Sequence, residues 1–389
     1  MMTTTPQHPT RARDLGVPFD GAPGRWNAIT DVPGVEVGYA TIVEGAPGDE
    51  VVARTGVTAI LPRGRDGAGV PCAAGVHSLN GNGELTGRSW IEESGSLTLP
   101  IGITNSHAVG AVHTGIDRWA QRAHPELAAE WMLPVVGETW DGYLNQINAG
   151  HVRPEHAILA IESAASGPIA EGNVGGGTGM NCYGFKGGSG TASRVVRLGA
   201  ETHTVGVFLQ ANFGSRDELR LAGAPLGRSS AAPNPYEDLE WFIRDGHRAR
   251  ARAGAGSVIG IVVTDAPLLP GQCEALARRV PLGLARTGTA GSHFSGDIFL
   301  ACSTGNPGAF TSSMPTSEPG DDPYETARFV PWGRIDPYFE AVVQATEEAV
   351  ANALVAARDM VGRDGHANVA LPHDEVRAAF AGRARESAA

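Results

Sequence analysis

The sequence contains a single lysine, Lys186; the rest of its 30 basic residues are arginines. Acidic residues number 42, which leaves a net charge of −12 and a pI near 5.5. A nucleic-acid backbone calls for a basic surface, so a nucleic-acid partner is not expected. Cysteine is scarce as well. Cys72, Cys182, Cys273 and Cys302 lie far apart with no CxxC pair, which excludes a zinc knuckle and a disulfide framework. No apolar run approaches the 18 or so residues that a membrane span requires. The opening stretch MMTTTPQHPTRARD lacks the apolar region of a secretory signal. The expectation is a soluble cytoplasmic protein.

Familiar catalytic signatures are absent too. His124 is followed by ProGluLeu, and HExxH occurs nowhere; there is no GxSxG elbow. The run from Gly184 to Thr191 lacks the order of a phosphate loop. Met180 stands where a dinucleotide fingerprint needs its third glycine. The 12 histidines are scattered without ligand spacing, so neither a metal nor a cofactor is expected.

What is present is a long, loop-rich chain. With 389 residues, 53 glycines and 26 prolines, it can bury a large core yet stays outside the low-complexity range. Residues 1–25, polar and rich in Pro and Arg, read as a loose arm. Strands are expected at Val35–Ile42, Val57–Leu61, Leu133–Val136, Val205–Gln210, Val258–Thr264 and Ile298–Cys302. Helical spacing runs from His107 to His124, from Gln272 to Arg286 and from Pro337 to Val361, the last with Gly362 as its stop. Two stretches, 214–256 and 305–324, lack periodicity. The mixed order of elements points to a layered α/β architecture.

The most informative site is the junction Ala253-Gly-Ala-Gly256-Ser257-Val-Ile-Gly-Ile-Val-Val, where a flexible segment meets a buried strand. Glycine tolerates a backbone that brings Ser257 Oγ close to the Gly256 carbonyl. Attack there gives an ester by N-to-O shift, and water then splits the chain. Ser257 would become an N-terminus carrying a hydroxyl nucleophile and an α-amine titrating near 8 (about 7.7–8.0), a usable base at neutral pH. The same dipeptide also fits an ordinary loop-to-strand junction, and on these residues alone both readings stay open. For Lys186, amid glycines, drift and a need for a compact ammonium are both open, with a structural charge partner the first expectation.

The stretch Glu171-Gly-Asn-Val-Gly-Gly-Gly-Thr-Gly-Met180, continuing through Phe185-Lys-Gly-Gly-Ser-Gly-Thr-Ala-Ser-Arg194, resembles the signature of the DmpA/BapA-type peptidases, family S58. These are the L-aminopeptidase/D-esterases and β-aminopeptidases. Matching segments follow in the family's order: Asn27–Gly34, Gly102–His107, Gln210–Gly214, Thr264–Leu268 and Ser295–Phe299.

The resemblance implies an αββα sandwich of the DmpA type, like the Ntn hydrolases, formed by one catalytic domain over 1–389. Self-cleavage would give a large chain, 1–256, and a small chain, 257–389, of about 27 and 14 kDa by residue proportion. Gly256–Ser257 matches the cut bond, Ser257 the nucleophile and Asn212 the oxyanion donor. Ser295 and Asp297 match the hydroxyl and carboxylate that orient the new amine. Glu138 is expected to receive the substrate ammonium, because an unpaired ammonium is costly to desolvate. Trp140, where some members carry tyrosine, would form an apolar pocket wall. The implied activity is metal-free hydrolysis of an N-terminal residue from short peptides, amides or esters by a homo-oligomer, a tetramer of chain pairs. Two alternatives compete: a self-processed acyltransferase of related fold, and a non-enzymatic module gripping an anion through the glycine-rich 175–190 region.

Overall fold

The computed structural model describes residues 10–129, 132–237, 254–315 and 318–381. Its strands are β1 (Glu36–Glu44), β2 (Ala53–Leu61), β3 (Cys72–Gly81), β4 (Ser96–Leu97), β5 (Ile101–Asn105), β6 (Val135–Thr139), β7 (Asn181–Cys182), β8 (Phe185–Lys186), β9 (Gly188–Leu198), β10 (Glu201–Gly214), β11 (Gly254–Thr264) and β12 (Gly296–Ser303). They form a four-stranded sheet, β1-β2-β5-β6, and a six-stranded sheet, β4-β3-β12-β11-β10-β9. The small pair β7–β8 stands apart. Helices α1 (Arg88–Ser94), α2 (Val109–Ala123), α3 (Pro154–Glu162), α4 (Leu226–Ser229), α5 (Pro270–Ala277), α6 (Val280–Arg286), α7 (Asp336–Ala356) and α8 (His373–Phe380) complete the fold.

Alternation along the strands builds the layers. Ile259, Ile261 and Val263 of β11 face the other sheet, meeting Ile60, Ile101, Ile103 and Val135 in one apolar cluster. Val258 and Val262 point the other way, into the cluster that packs α5, α6 and α7. On the far side, α2 covers β5 through Val112, Ile116 and Trp119, and α3 covers β1 and β2 through Ala157, Ala160 and Ile161. Each fully buried aliphatic side chain contributes roughly 1.5–3 kcal/mol, so the three stacked clusters hold the layers together. The architecture is the expected αββα sandwich. The sheets touch closely at Gly137, where a Cβ would sit 3.0 Å from the Ile259 side chain.

Several local expectations are revised. The single helix over 272–286 is two, α5 ending at Ala277 and α6 starting at Val280. Pro281 lies in the first turn of α6, where its missing N–H costs nothing but where a continuous helix would break. Helix α7 stops at Ala356, short of Gly362, and Met360–Val361 pairs instead with Ala367–Asn368. Asn173 draws the chain away there, accepting from Arg358 N at 3.1 Å and donating to Arg358 O at 2.9 Å. The residues of the expected loose arm that lie within the described range, 10–25, are docked. Ala12, Leu15 and Val17 are buried, Ala12 N donates to Asn352 Oδ1 at 3.1 Å, and Val195 N donates to Ala22 O at 2.8 Å. Of the long 214–256 stretch, residues 238–253 lie outside the described range.

The arm is clamped by charge. Glu348 of α7, buried, pairs with Arg194 at 2.7 Å and with Arg13 at 2.7 Å. Burial works against its charge, but the Arg13 bond and the two guanidinium charges hold its carboxyl below the usual range. Removing it leaves Arg194, 1% exposed, without its counter-charge. Glu348→Ala is expected to lower unfolding stability by about 3–5 kcal/mol, read from chemical denaturation.

Candidate functional site

Ser257 sits near the start of β11, the centre of the six-stranded sheet, opposite Asn212 of β10 on one side and Gly296 of β12 on the other. It shares the parity of Ile259 and Ile261, so its side chain belongs to the face between the sheets. Ser257 is 6% exposed, and its Oγ accepts the Gly296 N–H at 3.1 Å. Gly256 precedes it against β10, where any Cβ would overlap the Asn212 carbonyl oxygen. The β10–β11 register shifts between Asn212 and Gly214, so the regular ladder ends at the Gly256–Ser257 bond.

The Asn212 amide is locked in orientation from both ends. Its Oδ1 accepts the Asn181 N–H at 2.8 Å, and its Nδ2 donates to the Trp140 carbonyl at 2.9 Å. A donor facing one atom and an acceptor facing the other settle which end is nitrogen. One Nδ2 hydrogen is thereby used, and the second has no acceptor among the described residues.

Ser295 and Asp297 flank Gly296. Ser295 Oγ donates to Asp297 Oδ1 at 2.5 Å, and Asn80 Nδ2 donates to Oδ2 at 2.9 Å. The backbone N–H of Val258, next to the serine, supports the same carboxylate. Burial raises the Asp297 pKa, and the bonds from Ser295, Asn80 and Val258 pull it back. Because Ser295 spends its proton on Asp297, its oxygen is left as an acceptor.

Glu138 is the penultimate residue of β6 and is 5% exposed. Its carboxylate accepts Glu84 N at 3.0 Å and the Ser106 hydroxyl. It lies beside Gly83: a Cβ there would be 3.1 Å from Glu138 Oε1 and 2.9 Å from Gly296 Cα. One side-chain-free residue, Gly83, therefore separates this carboxylate from Gly296, the residue that holds Ser257 Oγ. Burial raises the Glu138 pKa above the ordinary carboxylate range, against the Ser106 and Glu84 bonds. Trp140 is half exposed, with its indole against Gly142, and its backbone carbonyl is what orients Asn212.

The fold thus gathers Ser257, Asn212, Ser295 and Asp297 at one end of the central strands, with Glu138 reached across Gly83 and Gly296. Four contributors escaped the sequence reading. Asn80, Gly83 and Glu84 lie in LeuAsnGlyAsnGlyGlu, which reads only as turn chemistry. Ser106 lies in the quoted Gly102–His107 segment, but nothing in its spacing ties it to Glu138.

Lys186 is fully buried, and its ammonium donates to three carbonyls, those of Met180 (2.7 Å), Gly187 (2.9 Å) and Gly177 (3.4 Å). Carbonyls accept its three hydrogen bonds, and the expected charge partner is present through the Coulomb attraction of Asp141 without a hydrogen bond to it. The glycine-rich 175–179 turn is buried between the sheets and packed against β9. An anion has no access to it, so the anion-gripping alternative is overturned.

The sequence model for Peptidase family S58 matches residues 27–368. The chain is 48% identical over 371 residues to the β-peptidyl aminopeptidase BapA of Sphingosinicella microcystinivorans, covering 95% of this chain and 91% of that protein. A β-aminopeptidase structure from Burkholderia sp. superposes with a TM-score of 0.83 at 44% identity, covering 96% of this chain and 98% of that one. The L-aminopeptidase D-Ala-esterase/amidase of Ochrobactrum anthropi, described as a prototype serine aminopeptidase with a variant Ntn-hydrolase fold, superposes at 0.85 with 42% identity. It covers 96% of this chain and 99% of its own. With a family match that spans nearly the whole described fold, this chain belongs to peptidase family S58.

Proposed function

We propose that this family S58 aminopeptidase arms itself by cutting the Gly256–Ser257 bond and then hydrolyses N-terminal residues from short peptides, amino-acid amides or esters. The observation that carries the reading is Ser257 Oγ on the Gly296 N–H, directly across from a locked Asn212 amide. In the maturation step Oγ bonds to the Gly256 carbonyl carbon and the Gly256–Ser257 C–N bond breaks. Water then hydrolyses the ester, leaving Gly256 as a carboxylate and Ser257 with a free α-amine.

In turnover, Glu138 receives the substrate ammonium and sets the scissile carbonyl over Ser257. The α-amine takes the hydroxyl proton as Oγ attacks, and the free Nδ2 hydrogen of Asn212 meets the developing oxyanion. The Ser295 oxygen, aimed by Asp297, accepts from the protonated amine and holds it toward the leaving group, which takes the proton. Water attacks the acyl ester with the amine again as base. Acceptance of the acyl group by water distinguishes this course from that of an acyltransferase. The β-amino and D-alanyl chemistry named for the relatives makes β-, D- and L-aminoacyl p-nitroanilides the panel that assigns the substrate class.

The Glu138 role has a pH signature. Its raised pKa means that acid protonates it earlier than an exposed carboxylate. The protonated form no longer pairs with an ammonium, so KM is expected to climb as pH falls through that pKa. In Glu138→Gln, KM should be high already and flat across the same range. Steady-state KM against pH for both enzymes checks this, and a wild-type profile with no acid limb contradicts it.

We also infer a homo-oligomer, in which exposed apolar side chains such as Tyr324, Phe329 and Trp332 would be covered. No helix among the described residues is long and apolar enough to cross a membrane.

A further inference from the structure

The chain's one lysine is joined to the proposed oxyanion donor by an unbroken run of hydrogen bonds. An ammonium has three donors and no acceptor, and the carbonyls of Met180, Gly187 and Gly177 answer them one for one. A neutral amine would set its lone pair against one of those carbonyls. The cage depends on glycine: a Cβ at Gly177 would overlap Ser189 N and one at Gly187 the Ala211 carbonyl. A planar guanidinium cannot aim three N–H groups at this focus, which accounts for a lysine in a chain that otherwise uses arginine.

The Met180 carbonyl belongs to the peptide group whose N–H, on Asn181, donates to Asn212 Oδ1 at 2.8 Å. Donors and acceptors therefore alternate from the ammonium through Met180 O, Asn181 N–H and Asn212 Oδ1 to the Asn212 Nδ2 hydrogens. A charge at one end of such a chain polarises each bond along it. The other side of the same loop is tied down by Asn368, which donates to Asn181 Oδ1 at 2.8 Å.

We propose that Lys186 is a positioning residue for catalysis, whose ammonium fixes and polarises the Met180–Asn181 peptide and thereby strengthens Asn212 as the oxyanion donor. The proposal rests on the reading of Asn212 given above. The ionisable groups that act on the ammonium are Asp141 and Cys182. Burial pushes Asp141 up to about 7 and the Cys182 thiol up to about 12, and pushes Lys186 itself down to about 7.

A double-mutant cycle tests it. Lys186→Met is expected to lower kcat about tenfold with KM changed less than about twofold, and Lys186→Arg should not restore it. In an Asn212→Ala background the same lysine substitution should change kcat less than about twofold. Equal losses in both backgrounds would mean a merely structural lysine and overturn the proposal alone. Wild-type kcat in Asn212→Ala would overturn the oxyanion reading and this proposal with it. If a variant fails to fold or mature, the wild-type enzyme serves. Carbon-13 lysine gives a single side-chain signal, and an aminoalkyl boronic acid that adds to Ser257 Oγ places a tetrahedral anion at the site. The lysine titration midpoint is expected to rise in that adduct, because the added negative charge favours the ammonium. A midpoint unchanged by the adduct overturns the proposal.

Discussion

Ser257→Ala is expected to accumulate as one uncut chain of 40.3 kDa with no measurable aminopeptidase activity. In the proposed mechanism the substitution removes the atom that attacks the Gly256 carbonyl, and the same atom serves as the nucleophile of turnover, so both activities are expected to vanish together. The fold should survive. The serine is 6% exposed in mid-sheet, and alanine fits its space while leaving only the Gly296 N–H without an acceptor. Such a loss costs about 1–3 kcal/mol, a small part of what three apolar clusters contribute. A folded, uncut and inactive protein by circular dichroism and denaturing electrophoresis is the expected outcome. Activity retained in the alanine variant would place the nucleophile elsewhere.

Asn212→Ala carries the second large effect. Its Oδ1 and one Nδ2 hydrogen are fixed by Asn181 and Trp140, so the remaining hydrogen is preorganised before substrate arrives. Loss of a preorganised oxyanion donor lowers kcat by about 10²–10³, with little change in KM because the ground-state carbonyl gains less from it. The substitution also strands the Asn181 N–H and the Trp140 carbonyl, so a fall in melting temperature should accompany it. Steady-state kinetics on material shown to be folded separates the two effects. A kcat within about threefold of wild type would remove Asn212 from the chemistry.

Much of the fold was legible because strong patterns dominate it. Val258–Thr264 is an uninterrupted apolar run, and it is the buried core of β11, which extends a few residues further back. The order of strands was less so, since pairing β11 parallel to β12 while β10 runs antiparallel beside it depends on contacts distant in sequence. The same limit applies to helix ends. Pro281 splits a helix whose apolar spacing looks continuous, and Asn173, far away in sequence, ends α7. In the site, Ser257, Asn212, Ser295 and Asp297 were named through the family resemblance and stand together. Asn80 and Ser106 were not, because an asparagine in a glycine-rich run and a loop serine show no signal until the fold sets them on Asp297 and Glu138. Lys186 stood out by composition alone, yet its carbonyl cage lies in backbone geometry that no side-chain pattern encodes.

In the proposed mechanism activity depends on the state of one peptide bond, and intact mass with N-terminal sequencing of purified, active protein reads it. Two fragments of about 27 and 14 kDa, the smaller beginning Ser-Val-Ile-Gly, are the predicted result. Fully active enzyme that remains a single chain, with Gly256 still joined to Ser257, would contradict it.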